Sequence, residues 1–386
     1  MRARTAALMI SLLGCHAVVA ANADRARDLG ILFDGEPGPL NAITDVAGVT
    51  VGQVSVIEDL PGNRAVRTGV TAILPRGGKT AETPVFAAWF SLNGNGEMTG
   101  THWIEESGFL EGPVMITNTH SVGTVHQAAI AWRVSQGSPD ASGYWWSLPV
   151  VAETWDGWLN DINGFHVTAQ HAHAALRSAS SGPVAEGNTG GGTGMICHEF
   201  KCGTGTSSRI VTTGQGRYTI GVLVQANYGL RETLRVAGVP VGQHLTEGRA
   251  YAGLAAPRPE TGSIIIVVGT DAPLLPQQLK RIAKRAALGL ARVGGMAGNG
   301  SGDIFLAFST ANEQAAQAGG IMSVQMHPNE TISPLFDATV LATEEAIVNA
   351  LVAAEDMTGD QGHVAKAIDH QALQRVLADY NRLASP

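Results

Sequence analysis

The sequence is short of charge. Lysine, arginine, aspartate and glutamate make up 15% of its 386 residues, against about 25% in an average domain. No lysine/arginine cluster occurs and the formal net charge is −8, so nucleic acid is excluded as a partner. Hydrophobic residues reach 44%, and a chain rich in apolar residues but poor in charge is not a disordered one. After residue 23 no apolar stretch approaches the roughly 20 residues a bilayer span needs. Several catalytic signatures are missing as well. There is no H-E-x-x-H, no G-x-S-x-G and no G-x-x-x-x-G-K-[ST], which removes the common zinc-protease, α/β-hydrolase and P-loop readings.

Glycine is abundant, at 48 residues without a Gly-X-Y period. It sits in short clusters between apolar runs, a pattern of tight turns and close backbone approaches. Two clusters, residues 187–194 (GNTGGGTG) and 298–303 (GNGSGD), lack the lysine or the strand–helix context of a phosphate cradle and read as turns.

Residues 1–23 read as an address. Arg2 and Arg4 precede an apolar stretch over 5–21, and Ala21-Asn22-Ala23 supplies an A-x-A site. A cleaved export signal and a periplasmic location are expected. A membrane anchor is disfavoured because the run is short and His16 interrupts it. A lipoprotein site at Leu12-Leu13-Gly14-Cys15 is disfavoured by the Leu before Gly. Removal of the signal leaves Cys197 and Cys202. Free thiols are the first expectation for them, a disulfide the second, and a metal site with His198 a distant third. His166, His171 and His173 do not share one helix face and are not read as zinc ligands.

The mature chain alternates strand and helix patterns. A turn feeding a strand is expected over 41–56, and strands at 69–74, 85–92, 114–117, 219–226, 263–269 and 304–309. The 263–269 run (SIIIVVG) is apolar throughout, as in a strand buried on both faces. Helices are expected at 123–135, 167–178, 275–293, 333–354 and 364–384. Positions 279, 282, 286 and 290 form one apolar stripe, and Glu344 with Glu345 suggests a charged patch. The mixture implies a layered α/β architecture. Residues 255–262 (AAPRPETG) are polar and proline-rich, the best candidate for an exposed link or processing site.

That stretch ends in Gly262-Ser263. A small residue before a serine that opens a buried strand suits an amino-terminal nucleophile. The hydroxyl would attack the Gly262 carbonyl, and the freed α-amine, with a pKa near 7.7–8.0, would serve as base. Taken alone, Gly-Ser reads first as an ordinary turn before a strand.

Longer strings add to this. Residues 93–100 (NGNGEMTG), 150–154 (VVAET), 190–201 (GGGTGMICHEFK), 225–227 (QAN), 263–276 (SIIIVVGTDAPLLP) and 300–310 (GSGDIFLAFST) resemble the self-processing L-aminopeptidase/D-esterase family, which includes the β-peptidyl aminopeptidases. They run in order through nearly the whole mature chain.

The resemblance implies a four-layer αββα sandwich like that of the amino-terminal-nucleophile hydrolases, with different strand connectivity. It implies a cut before Ser263, giving a large chain of residues 24–262 and a small chain of 263–386 that together form one domain. Carried over by motif, Ser263 is the nucleophile, Ser301 and Asp303 orient it and its amine, and Asn227 is the oxyanion-hole donor. Glu153 receives the substrate's ammonium, with Asn93 and Trp155 beside it in substrate binding. The implied activity is release of small amino-terminal residues, D- or β-residues among them, from peptides, amides or esters, with a small peptide or amino-acid amide as substrate, no cofactor or metal, and αβ units that form a homo-oligomer. Two positions depart from the family pattern. Trp155 stands where Tyr is usual and cannot relay a proton, and Cys202 replaces a usual Gly. The competing readings are an acyltransferase of the ornithine acetyltransferase type, which uses Thr as nucleophile, and a non-catalytic periplasmic solute-binding protein.

Overall fold

The computed structural model describes residues 24–137, 146–252, 262–317 and 319–384. The expected export signal, Cys15 and most of the 255–262 stretch lie outside the described residues. In chain order the strands are β1 (Thr50–Leu60), β2 (Arg64–Leu74), β3 (Val85–Gly94), β4 (Phe109–Leu110), β5 (Val114–Asn118), β6 (Val150–Thr154), β7 (Ile196–Cys197), β8 (Phe200–Lys201), β9 (Thr204–Thr213), β10 (Gly216–Asn227), β11 (Ser263–Thr270), β12 (Gly302–Ser309), β13 (Met357–Thr358) and β14 (Val364–Ala365). The helices are α1 (Thr101–Ser107), α2 (Val122–Ser135), α3 (Ala169–Ser178), α4 (Val241–His244), α5 (Pro276–Arg292), α6 (Ser333–Val352) and α7 (His370–Asp379).

Two sheets stack face to face. One has the order β1-β2-β5-β6, the other β4-β3-β12-β11-β10-β9. Alternation along each strand assigns its two faces. On β11, Ile265 and Val267 face the other sheet, packing with Leu223, Leu306, Ile73 and Ile116. Ile264, Ile266 and Val268 face outward onto α5 and α6. Val70, Met115 and Val151 of the smaller sheet face α2 and α3. The layers are therefore α2/α3, four strands, six strands, α5/α6, an αββα sandwich. The α5 stripe, Leu279, Ile282, Ala286 and Leu290, is buried as its spacing predicts. Among the described residues no helix is long and apolar enough to cross a membrane.

The structure corrects three expectations and adds one strand. Cys197 and Cys202 are joined in a disulfide, not left as free thiols. The two-residue turn His198–Glu199 between β7 and β8 brings their α-carbons to 5.4 Å, within bonding range. The 364–384 segment is not one helix. Val364 and Ala365 pair with Met357 and Thr358, and the helix begins only where the Asp369 side chain caps the Ala372 N–H. Glu344 and Glu345 are buried, not a surface patch. Finally, β9 (TGTSSRIVTT) went unpredicted. Its hydroxyls bond to neighbouring carbonyls, as Ser207 does to Ala342 O at 2.6 Å. Gly205 there lets α6 approach so closely that a Cβ would meet Ala346 O at 2.0 Å.

The three histidines serve separate ends. His166 pairs with Asp161, His171 Nδ1 accepts the Thr168 N–H, and His173 bonds to Ala128 O.

Candidate active site

Ser263 opens β11 in the middle of the six-stranded sheet. It lies opposite Asn227 of antiparallel β10 and in register with Gly302 of parallel β12, and it is 5% exposed. The peptide bond before it belongs to the ladder, because Gly302 N–H donates to the Gly262 carbonyl at 3.1 Å. Residue 262 must be glycine here. A Cβ would meet Asn227 O at 2.2 Å and Tyr228 Cα at 2.5 Å, closer than any side chain tolerates.

Asn227 ends β10, and two backbone groups fix its amide. Ile196 N–H donates to Oδ1 at 2.9 Å, and Nδ2 donates to Trp155 O at 2.8 Å. A donor on one side and an acceptor on the other permit one orientation only. Nδ2 carries two hydrogens, so these contacts leave one N–H over.

Ser301 and Asp303 flank Gly302, the register partner of Ser263, and both are buried. Ser301 Oγ donates to Asp303 Oδ1 at 2.7 Å. A register shift between Asp303 and Ile304 bends the strand at this point, as bulges beside reactive sites do. The preceding loop is laced to β3. Asn93 sits opposite Asp303, and its Nδ2 donates to Ala297 O at 3.0 Å and also to Gly298 O. Asn95 Nδ2 reaches Gly300 O at 2.8 Å. Asn93 thus holds the loop that carries Ser301.

Glu153 comes from the other sheet, near the end of β6. It is 3% exposed. Glu97 N–H donates to Oε1 at 3.0 Å, and the Thr119 hydroxyl donates to Oε2. Among the described residues no lysine or arginine pairs with it. Burial raises its pKa, against the pull of the two hydrogen bonds. Gly96 joins the two halves of the site. A Cβ on it would lie 3.1 Å from Gly302 Cα and 3.3 Å from Glu153 Oε1. Gln225, two residues before Asn227, bridges the sheets through Nε2 to Thr117 O and Thr154 Oγ1.

Trp155 is half-buried, and its indole lies over Gly157, where a Cβ would meet Cζ2 at 2.6 Å. The next residue, Asp156, escaped sequence reasoning. It accepts from Asn160 Nδ2 at 3.0 Å, and burial pushes its pKa up to about 7. Thr119 and the Ile196 N–H were missed too, because neither residue type announces a site.

Serine, spare amide hydrogen, oriented hydroxyl–carboxylate pair and unpaired buried carboxylate thus converge at one end of two stacked sheets. Known proteins share this plan. The family model for peptidase family S58 matches residues 41–365. The β-peptidyl aminopeptidase BapA of Sphingosinicella microcystinivorans is 54% identical over 379 residues, covering 95% of this chain and 94% of that protein. The BapA of Sphingosinicella xenopeptidilytica is 48% identical, covering 92% and 90%. Among solved structures, the L-aminopeptidase D-Ala-esterase/amidase of Ochrobactrum anthropi superposes with a TM-score of 0.87 at 51% identity, covering 93% of this chain and 99% of that one. It is described as a prototype of the serine aminopeptidases and a variant of the Ntn hydrolase fold. A β-aminopeptidase from a Burkholderia species gives a TM-score of 0.84 at 48% identity, covering 94% and 100%. The chain belongs to peptidase family S58, and it is an aminopeptidase.

Proposed function

We propose that the protein is exported, cuts itself between Gly262 and Ser263, and then releases small amino-terminal residues, β-residues included, from peptides and amides. The observation that carries the reading is Ser263 as first residue of a central strand, facing Asn227 across the ladder. In maturation Ser263 Oγ adds to the Gly262 carbonyl, the C–N bond breaks to free the Ser263 α-amine, and water hydrolyses the ester. Support comes from the Gly302 N–H, which donates to the oxygen that becomes negative in that step.

In turnover the α-amine takes the Oγ proton as Oγ attacks the substrate carbonyl. The remaining Asn227 N–H stabilises the oxyanion; losing such a donor costs about 10²–10³ in rate. The proton passes to the leaving amine, and water then cleaves the acyl-enzyme. Ser301 and Asp303 orient the nucleophile. The ammonium of the substrate supplies Glu153 with its missing counter-charge, and a blocked terminus cannot. The names of the two BapA relatives support β-residues as substrates. Ala21-Asn22-Ala23 supports export, and the unit is expected to assemble as a homo-oligomer.

Intact mass and amino-terminal sequencing test the proposal. Wild type should yield a chain starting at Ser263, and Ser263→Ala a single inactive chain. An uncut Ser263→Ala protein with full activity would end it. Wild-type cleavage of acetylated and free alanine nitroanilides at equal rates would remove the ammonium role of Glu153.

A further inference from the structure

The Asn227 amide is held by a neighbour that is itself hard to hold. Its Oδ1 depends on the Ile196 N–H, and Ile196 opens a strand two residues long whose ladder partners are Phe200 and Lys201. Hairpins this small are marginal by themselves. The turn adds to the difficulty. His198 and Glu199 have φ of 48° and 61°, the conformation of a two-residue hairpin loop that favours Asn-Gly.

Other contacts restrain it. Arg231, buried beneath the turn, donates from Nε to His198 O and from Nη2 to Glu199 O, each at 2.9 Å. His198 N–H donates to Tyr228 O at 2.7 Å. The Cys197–Cys202 disulfide closes the hairpin covalently, one residue from Ile196, and Cys202 N–H returns to Met195 O at 3.1 Å. Both cysteines are fully buried.

From this we infer that the Cys197–Cys202 disulfide is a positioning element of the active site. It fixes the Ile196 N–H, and that donor selects which end of the Asn227 amide meets Trp155 O and leaves the spare N–H for the reacting carbonyl. Without the donor only the Trp155 O contact holds the amide, and its spare N–H is no longer fixed toward the developing oxyanion. The inference rests on the reading of Asn227 as the oxyanion donor. It makes turnover depend on redox state. A dithiol reductant opens the bridge by exchange, delivering two electrons and two protons to give two thiols and its own disulfide.

The test is a double-mutant cycle on the processed full-length enzyme with a free-amine nitroanilide. Cys197→Ala/Cys202→Ala should lower kcat by roughly tenfold, a fraction of the loss of a whole donor, and leave KM within about twofold. In an Asn227→Ala background the same pair of substitutions should lower kcat no further. Should the cysteine variant fold poorly, native enzyme reduced with dithiothreitol, its two thiols confirmed by mass after alkylation, provides the same comparison. A kcat unchanged by loss of the bridge overturns the inference. So does an equal loss with and without Asn227, which would place the bridge's effect elsewhere. Asn227→Ala at wild-type rate overturns the oxyanion reading instead, and the inference with it.

Discussion

Glu345 and Glu153 are both buried glutamates, and their surroundings differ in one respect. Glu345, on α6, receives Arg27 Nε at 2.7 Å, Asn41 Nδ2 at 2.6 Å and Arg209 Nη2 at 2.6 Å. Burial pushes its carboxyl up, yet Arg27 and Arg209 outweigh that and hold it below its usual range. Glu153 has a hydroxyl and a backbone N–H but, among the described residues, no lysine or arginine, and burial raises it. A buried carboxylate supplied with its cations is part of the architecture. One left without a cation costs stability in the free protein and is suited to a cation that arrives with the substrate.

The contrast breaks most readily at Glu345. Glu345→Ala leaves Arg209 buried without the carboxylate it is hydrogen-bonded to and should destabilise the fold by about 3–5 kcal/mol, read by urea unfolding, while KM of the folded fraction stays put. Glu153→Gln should do the reverse. KM for free-amine substrates should rise by about 10–100-fold, the worth of a hydrogen-bonded charge, with kcat lowered much less and stability unchanged or higher. A loss of several kcal/mol on that substitution would mean that Glu153 is internally compensated.

Acidity sharpens the comparison next. The raised pKa of Glu153 means that its charge is lost on acidification before that of an exposed glutamate. kcat/KM should therefore fall on acidification in two steps, one as the Ser263 α-amine is protonated and one at lower pH, still above the ordinary carboxylate range, for Glu153; Glu153→Gln should lack the second step only. The smallest effect concerns Asp156. Its folded pKa, about 7, lies above the unfolded value near 3.9. Its contribution to stability is thus present at low pH and lost as pH rises through about 7. The midpoint of thermal unfolding should drop by several degrees between about pH 4 and 7, and Asp156→Asn should make that slope shallower, the rest belonging to Glu186, which burial also pushes up to about 7.

Much of the architecture was legible where burial is uniform. β10, β11 and β12 are apolar runs, and α5 carries a clean stripe. β9 was not legible, because threonine and serine there satisfy helix and strand carbonyls inside the core. The disulfide was ambiguous, since a separation of five residues permits a bond only if the intervening turn reverses within two residues. At the site, Gly262-Ser263 was visible as a possible nucleophile, but residues alone left it an ordinary turn until the longer strings were weighed. Groups that act through a backbone N–H or a lone hydroxyl, such as Ile196 and Thr119, leave no mark in a sequence.

The strand order β4-β3-β12-β11-β10-β9 has a consequence for a chain cut before Ser263. The small piece would own β11 and β12, and the large piece would own the strands on either side, β3 and β10. Such fragments meet at no separable surface; they are threaded through one another as a single hydrogen-bonded fabric. Dilution has nothing to pull apart short of unfolding, so separation and unfolding are one event: the melting temperature of the cut protein should rise with its concentration, while that of an uncut Ser263→Ala chain should not. The pieces made separately would each expose raw sheet edges and aggregate. Cutting after folding is thus the order of events that yields two soluble chains.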